Sequence, residues 1–244
     1  MNDLPLSSQY TIEYVKDQKF ADRLSECGTI SLPDVFTEEY VNKLHTFFSS
    51  GMPANWWRLA TYPSINPQQT VGKTAYYFND SDPLFHIDRL NAYKTAASNN
   101  AFSYYFYRTM GHVANCTCIE CDLRAKLGSP NALAFFSALA GCELTKVNEV
   151  FTSHYKPGCF LSAHHDINKG KIGFTIGLTT NWYPGYGGLL HFLDKDWHSV
   201  VKTVVPSYNS LTLLNLKDEG IPHLVTTVSE FVTAKRLTVT GWYS

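Results

Sequence analysis

Residues 160–168 read FLSAHHDIN, with two adjacent histidines followed by an aspartate. If CFLSAHHDI is a strand, side chains alternate between faces, so His164 and Asp166 share one face and His165 takes the other. A histidine and a carboxylate on one face are two legs of a facial triad. A second histidine would complete it and leave open metal positions, the arrangement of non-haem Fe(II) oxygenases. The best third leg is His223 in EGIPHLVTTV, far along the chain from Asp166. His191 in GGLLHFLD and His198 in KDWHSV are rivals. On the strand KRLTVTGWY, Arg236, Thr238, Thr240 and Trp242 fall on one face. A guanidinium with a hydroxyl two residues on makes a clamp for a carboxylate, because the planar fork matches two carboxylate oxygens.

Two other groups of residues invite the same question. His86-Ile87-Asp88 repeats the H-x-D letters, and Tyr77 lies nine positions before His86 as Tyr155 does before His164. A helical segment follows it, and no R-x-[ST] strand follows a suitable histidine, so it is read as structural. His112, Cys116, Cys118 and Cys121 form H-x3-C-x-C-x2-C. Four such donors on a loop suit a structural Zn2+ site; the alternative is a loop of free thiols.

Positioning these residues falls to a chain that changes texture part-way. The first thirty residues are read as strand and loop. LPDVFTEEYVNKLHTFFSSG has helical spacing of Val35, Phe36, Tyr40, Val41, Leu44, Phe47 and Phe48. Residues 51–84 read as loops and short strands, and DRLNAYKTAASNN as a helix before the strand FSYYFYRT. Ser129, Pro130 and Gly141 bracket a helix with cap, first-turn proline and terminating glycine. The aromatics of TAYYFND and FSYYFYRT are read as core. From 143 onward, short β-branched and aromatic runs are separated by turns such as KPG and YPGYGG, the pattern of a β-sandwich or barrel. The expected fold is α+β: a jelly roll (double-stranded β-helix) buttressed by N-terminal helices. Residues 1–244 are read as one domain, with 1–140 supplying helical support and substrate-side elements and 141–244 the catalytic roll.

The composition is globular: 244 residues, 44% hydrophobic and 17% charged, with a formal net charge of −1. No basic stripe suggests nucleic acid as a partner. Neither a signal peptide nor an apolar run of membrane-spanning length is evident. The six cysteines do not resemble a secreted disulfide framework. The expectation is a soluble, cytoplasmic protein; its oligomeric state is open.

YKPGCFLSAHHD, LTTNW, GYGGLLHF, PSYNSLTLLN, IPHLV and RLTVTGWY, in that order, resemble the 2-oxoglutarate and Fe(II)-dependent oxygenases, in their prolyl 4-hydroxylase-like branch. The likeness covers about residues 140–244. It implies His164, Asp166 and His223 as iron ligands, and Arg236 as the residue binding the far carboxylate of 2-oxoglutarate. Thr238 and Tyr155 would assist Arg236, and Trp242 would close the pocket near the metal. It also implies O2 as co-substrate, ascorbate as an accessory reductant, and release of succinate and CO2 as an aliphatic C–H bond is hydroxylated. Related halogenases lack the carboxylate ligand, so Asp166 favours hydroxylation. The substrate implied is an amino-acid side chain, foremost a prolyl residue in a peptide or protein. A free amino acid or small metabolite is the alternative substrate, and a jelly-roll binding protein without turnover is the alternative from another class.

Overall fold

The structure is a computed structural model that describes residues 3–65, 70–71, 73–78, 80–99, 101–112, 115–217 and 220–244. Parts of the 51–84 loop region, Asn100 and Glu219 of the sequence segments above, and Val113 and Ala114 of the cysteine-rich stretch, lie outside the described residues.

Contrary to the strand-and-loop expectation, the N-terminal segment forms two short helices, α1 (Ile12–Asp17) and α2 (Phe20–Cys27). Thr11 caps the first by accepting from the Tyr14 amide, and Gly28 ends the second at φ +69°. Neither is long enough to be stable alone. Val15, Phe20 and Leu24 are buried in the same apolar cluster as Phe135, Phe136 and Leu139, so tertiary packing stabilises what local propensity does not signal. Next come β1 (Thr29–Pro33) and α3 (Glu38–Thr46), the latter running into a π-helical turn over Phe47–Gly51. This matches the helical spacing of the sequence. Strands β2 (Trp57–Tyr62), β3 (Thr70–Val71) and β4 (Thr74–Tyr77), helix α4 (Pro83–Asn99) and strand β5 (Tyr104–Thr109) follow. Helix α5 (Ile119–Leu127) takes up the end of the cysteine-rich stretch expected to be a loop, with Cys118 at its N-cap and Cys121 in its first turn. Helix α6 (Pro130–Ala140) has the expected ends: Ser129 Oγ accepts from the Ala132 amide, and Gly141 is left-handed.

The remaining strands are β6 (Val147–Tyr155), β7 (Phe160–His164), β8 (Ile172–Leu178), β9 (Leu190–Leu193), β10 (Val200–Val204), β11 (Tyr208–Asn215), β12 (His223–Val225) and β13 (Arg236–Tyr243). They pair antiparallel in the order β1-β11-β8-β13-β6-β5-β7-β12-β9-β10, with β2 beside β5 and β4 beside β2. The sheet curls into a jelly roll, with helices packed on its outside. The first 140 residues therefore supply strands as well as helices: β1 extends one edge, and β5 bridges β6 and β7.

Strand alternation sorts the side chains into two cores. Leu237 and Val239 of β13, with Ile172, Phe174 and Ile176 of β8, pack toward the helices. Phe151 and Tyr155 of β6, Phe160, Phe192, Val225 and Trp242 belong to a second cluster inside the roll. No helix among the described residues is long and apolar enough to cross a membrane.

Candidate active site

β7 and β12 are neighbours, and their register sets His223 directly opposite His164. The two imidazole centroids are 4.3 Å apart. β7 ends at His164, so Asp166 is placed by the turn that follows rather than by the strand the sequence suggested. Its carboxylate nonetheless comes back to the same side: Oδ1 lies 3.6 Å from His164 Nε2 and Oδ2 lies 3.8 Å from His223 Nε2. One donor atom from each residue falls within 4.8 Å of the others.

Backbone carbonyls orient both rings. His164 Nδ1 is 2.9 Å from the Ser162 oxygen, and His223 Nδ1 is 3.0 Å from the Ile221 oxygen. An Nδ1–H donating to each carbonyl leaves both Nε2 lone pairs facing Asp166, the tautomer a metal ligand needs. Burial pushes the His164 pKa down to about 3, with the nearby His223 adding to the effect. Burial also lowers that of His223. Both are neutral at physiological pH. The donor set, two neutral imidazoles and one carboxylate, suits Fe(II) and leaves further coordination positions open.

Asp166 has a second partner. Trp242 Nε1 donates to Asp166 Oδ2 at 3.0 Å, so this tryptophan orients the carboxylate as well as walling the pocket. Phe102, from outside the roll sequence, packs against His164 with the rings tilted and their centroids 4.9 Å apart.

Arg236 is 5% exposed. Its Nε donates to the Gly188 carbonyl at 2.6 Å, and its guanidinium sits 4.4 Å from the Tyr155 ring centroid, the two residues being paired across β13 and β6. Among the described residues no carboxylate lies within ion-pair distance of it. Burial lowers its pKa, and Tyr155 and Cys159 oppose that shift. A buried cation without a counterion is costly unless an anionic ligand supplies one. Gly188 is required here: it has φ +61°, and a Cβ on it would sit 2.8 Å from Arg236 Cδ. Tyr155 is buried and its phenol pKa raised by burial, so it stays protonated and available as a donor. Thr238 follows on the same face of β13.

These groups line one cavity of 720 Å3, a volume suited to a small-molecule co-substrate together with part of a larger substrate. Its wall includes Tyr62, Phe102, Tyr104 and Phe106. The Tyr62 and Tyr104 rings stack at 5.6 Å, and Phe106 stacks on Tyr155 at 5.0 Å. Of the five aromatics of FSYYFYRT read as core, only Tyr105 and Tyr107 stay out of the cavity wall. Alternation along β5 sends Tyr105 and Tyr107 away and Tyr104, Phe106 and Arg108 into the cavity. Arg108 pairs there with Glu149 at 2.5 Å; nothing in the local sequence marks that pair.

The other candidate histidines stay out of the donor group, although His165 reaches the cavity wall. His165 is exposed, 5.1 Å from the Trp197 ring. His191 meets Thr203 Oγ1 at 2.8 Å, and His198 lies in a turn with its amide donating to Asp194. His86 is exposed on α4, whereas Asp88 is buried and accepts from Ser64, from the Ile65 amide and from the Tyr77 hydroxyl. That aspartate anchors a loop, as the structural reading of H-I-D requires. His112, Cys116, Cys118 and Cys121 do converge, as a second cluster apart from the triad.

Residues 150–244 match the family model of the 2OG-Fe(II) oxygenase superfamily. The matched stretch includes His164, Asp166, His223, Arg236 and Trp242. The oxygenase fold extends over the rest of the chain, as solved structures show. A prolyl-4-hydroxylase from Pseudomonas putida aligns over 94% of this chain and 97% of its own, at 16% identity and TM-score 0.56. A 2OG-Fe(II) oxygenase family oxidoreductase from Burkholderia pseudomallei aligns over 93% and 90%, at 17% identity and TM-score 0.58. A Trichoplax adhaerens prolyl hydroxylase, solved with a hypoxia inducible factor oxygen degradation domain peptide fragment, aligns over 97% and 93%, at 13% identity and TM-score 0.56. No match was found among curated proteins. Oxygenases of this family use Fe(II), 2-oxoglutarate and O2, and the His-Asp-His group of this enzyme is compatible with iron.

Proposed function

We propose that the enzyme holds Fe(II) on His164, Asp166 and His223, binds the far carboxylate of 2-oxoglutarate through Arg236, Thr238 and Tyr155, and hydroxylates an aliphatic C–H bond of an amino-acid side chain. The observation that carries this is the joint geometry: a cross-strand histidine pair facing one carboxylate, in the same cavity as a buried arginine without a counterion. Bound together, iron and 2-oxoglutarate supply oxidative decarboxylation coupled to C–H hydroxylation. The chain's own contribution is positional. The Ser162 and Ile221 carbonyls hold the imidazole tautomers, Trp242 holds Asp166, and the Gly188 carbonyl holds the Arg236 fork in line with the pocket. Aromatic rings around the mouth exclude water from the reacting region.

The substrate we favour is a prolyl residue in a peptide or protein. The fold likeness to prolyl hydroxylases supports it, one of them solved with a peptide bound. The Tyr62–Tyr104 and Phe102 rings beside His164 offer flat apolar faces to a pyrrolidine ring. The Arg108–Glu149 pair in the cavity wall favours a second reading, a free amino acid held by its amino and carboxylate groups. The test is succinate formation with Fe(II), 2-oxoglutarate and ascorbate, against proline-containing peptides and against free amino acids. The product is read by mass for gain of one oxygen. Expected is peptide-dependent turnover, abolished in Asp166→Ala. Turnover only with free amino acids would select the second reading, undiminished turnover in Asp166→Ala would remove the triad assignment, and no turnover with any substrate would favour a binding protein.

A further inference from the structure

Outside the active site, His112 Nδ1 lies 3.5 Å from Cys116 Sγ, 3.2 Å from Cys118 Sγ and 3.2 Å from Cys121 Sγ. All four donor atoms fall within 4.8 Å of one another. A tetrahedral zinc ion with Zn–S of about 2.3 Å and Zn–N of about 2.0 Å would set each S···N edge near 3.5 Å. The cluster already has nearly those dimensions. We propose that this is a second metal centre, a closed structural Zn2+ site with Cys3His ligands. It is independent of the iron assignment.

Three further observations support a metal over a chance group of thiols. First, the unused nitrogen of the histidine is engaged: His112 Nε2 lies 2.8 Å from Glu120 Oε2, and these side chains are only 6% and 1% exposed. With Nδ1 on the metal, Nε2 carries the proton beside a carboxylate at ion-pair distance but not aligned as a hydrogen bond, a looser form of the carboxylate–histidine–zinc arrangement that orients such ligands. Secondly, Cys118 is the N-cap of α5 and Cys121 lies in its first turn, so one helix start presents two of the three sulfurs to the same point. Thirdly, the Trp56 ring lies 4.5 Å from His112 and shields the site. Four protein donors of soft and borderline type, with no place left for water, describe a structural rather than a catalytic zinc.

The position of the site explains what it would do. Glu120 Oε1 accepts from Thr109 Oγ1 at 2.5 Å, from Arg124 at 2.9 Å and from Thr152 Oγ1 at 3.3 Å. Thr109 ends β5 and Thr152 lies in β6. The chain of contacts therefore runs from the metal through His112 and Glu120 to two strands whose opposite faces line the active-site cavity. Zinc here would clamp the β5–α5 connection to the roll, a place where the helix start offers little apolar area of its own.

The test is metal analysis of untagged protein purified under reducing conditions and dialysed against a weak chelator. Expected is one zinc per chain, retained in Asp166→Ala and lost in the Cys118→Ser/Cys121→Ser double variant. Should that variant fail to fold, cobalt titration of zinc-stripped wild-type protein decides. A thiolate-to-Co(II) charge-transfer absorption is expected, and the His-Asp-His group, which has no sulfur, cannot produce it. Wild-type protein without stoichiometric zinc and without that absorption overturns the proposal. So does a disulfide between any two of Cys116, Cys118 and Cys121 in protein isolated under reducing conditions, or zinc that disappears in Asp166→Ala and persists in the double variant.

Discussion

Replacing Arg236 with methionine separates a ligand-binding role from a structural one. The guanidinium is buried with Nε given to the Gly188 carbonyl, and the described residues provide no carboxylate for it. A 2-oxoglutarate carboxylate arriving there would form a desolvated, charge-assisted pair. Truncating one partner of such a pair costs about 2–5 kcal/mol. Taking roughly 3–4 kcal/mol, the affinity for 2-oxoglutarate should fall about 10²–10³-fold, since each 1.4 kcal/mol is about tenfold. Stability should behave differently. The variant leaves the Gly188 carbonyl unpaired, a loss of about 1–3 kcal/mol, but it also removes the desolvation cost of an uncompensated buried charge. These oppose each other, so the melting temperature without co-substrate should move little, whereas the stabilisation that 2-oxoglutarate confers on wild type should vanish. The assay is calorimetric titration of 2-oxoglutarate into Mn(II)-loaded protein without oxygen, paired with thermal melts with and without it. Binding within threefold of wild type would refute the carboxylate assignment. A large loss of stability before any ligand is added would show that Arg236 serves the fold instead.

Trp242→Phe removes the indole N–H that orients Asp166 while keeping an aromatic ring; metal affinity at the triad should fall about 10–100-fold, read by Fe(II) or Mn(II) titration, and an unchanged affinity would reduce Trp242 to a wall. His154, 9% exposed and 5.5 Å from the Trp57 ring, has its pKa pushed down to about 3 by burial, against an ordinary 6.5. The unfolded chain therefore binds the extra proton first as pH falls. Its contribution to stability is complete above about pH 6.5 and is lost progressively toward pH 3, amounting to roughly 2 kcal/mol between pH 7 and pH 5. Urea unfolding of wild type and His154→Gln at both pH values should show that difference in wild type alone; equal pH dependence in the two would refute it.

The chemistry-bearing letters of the active site could be read from the chain because strand periodicity is a local property. Arg236, Thr238 and Trp242 share a face in any strand that contains them, whereas His165 lies just past the end of β7, where alternation no longer applies. Helix α6 was likewise evident, since its serine cap, first-turn proline and terminal glycine act within a few residues of one another. Local rules failed where long-range packing decides. Helices α1 and α2 exist because Val15, Phe20 and Leu24 find the apolar face of α6, and neither would form alone. The half of the β5 aromatics that enters the cavity depends on which face of β5 the curled sheet turns inward, and no local pattern specifies that.

His164 and His223 were candidates by type, but the β7–β12 register made them opposite each other, and the turn after β7 returned Asp166 to them. Trp242 could be placed near the metal by likeness, and only the closed roll brought its N–H to the Asp166 carboxylate. The sequence alone determined which side chains were able to ligate, clamp and cap, because those capacities belong to residue types and short spacings. Which of them meet, and which arginine is buried without a counterion, was decided by strand pairing between residues dozens of positions apart, where the antiparallel register sets distances that no spacing along the chain encodes.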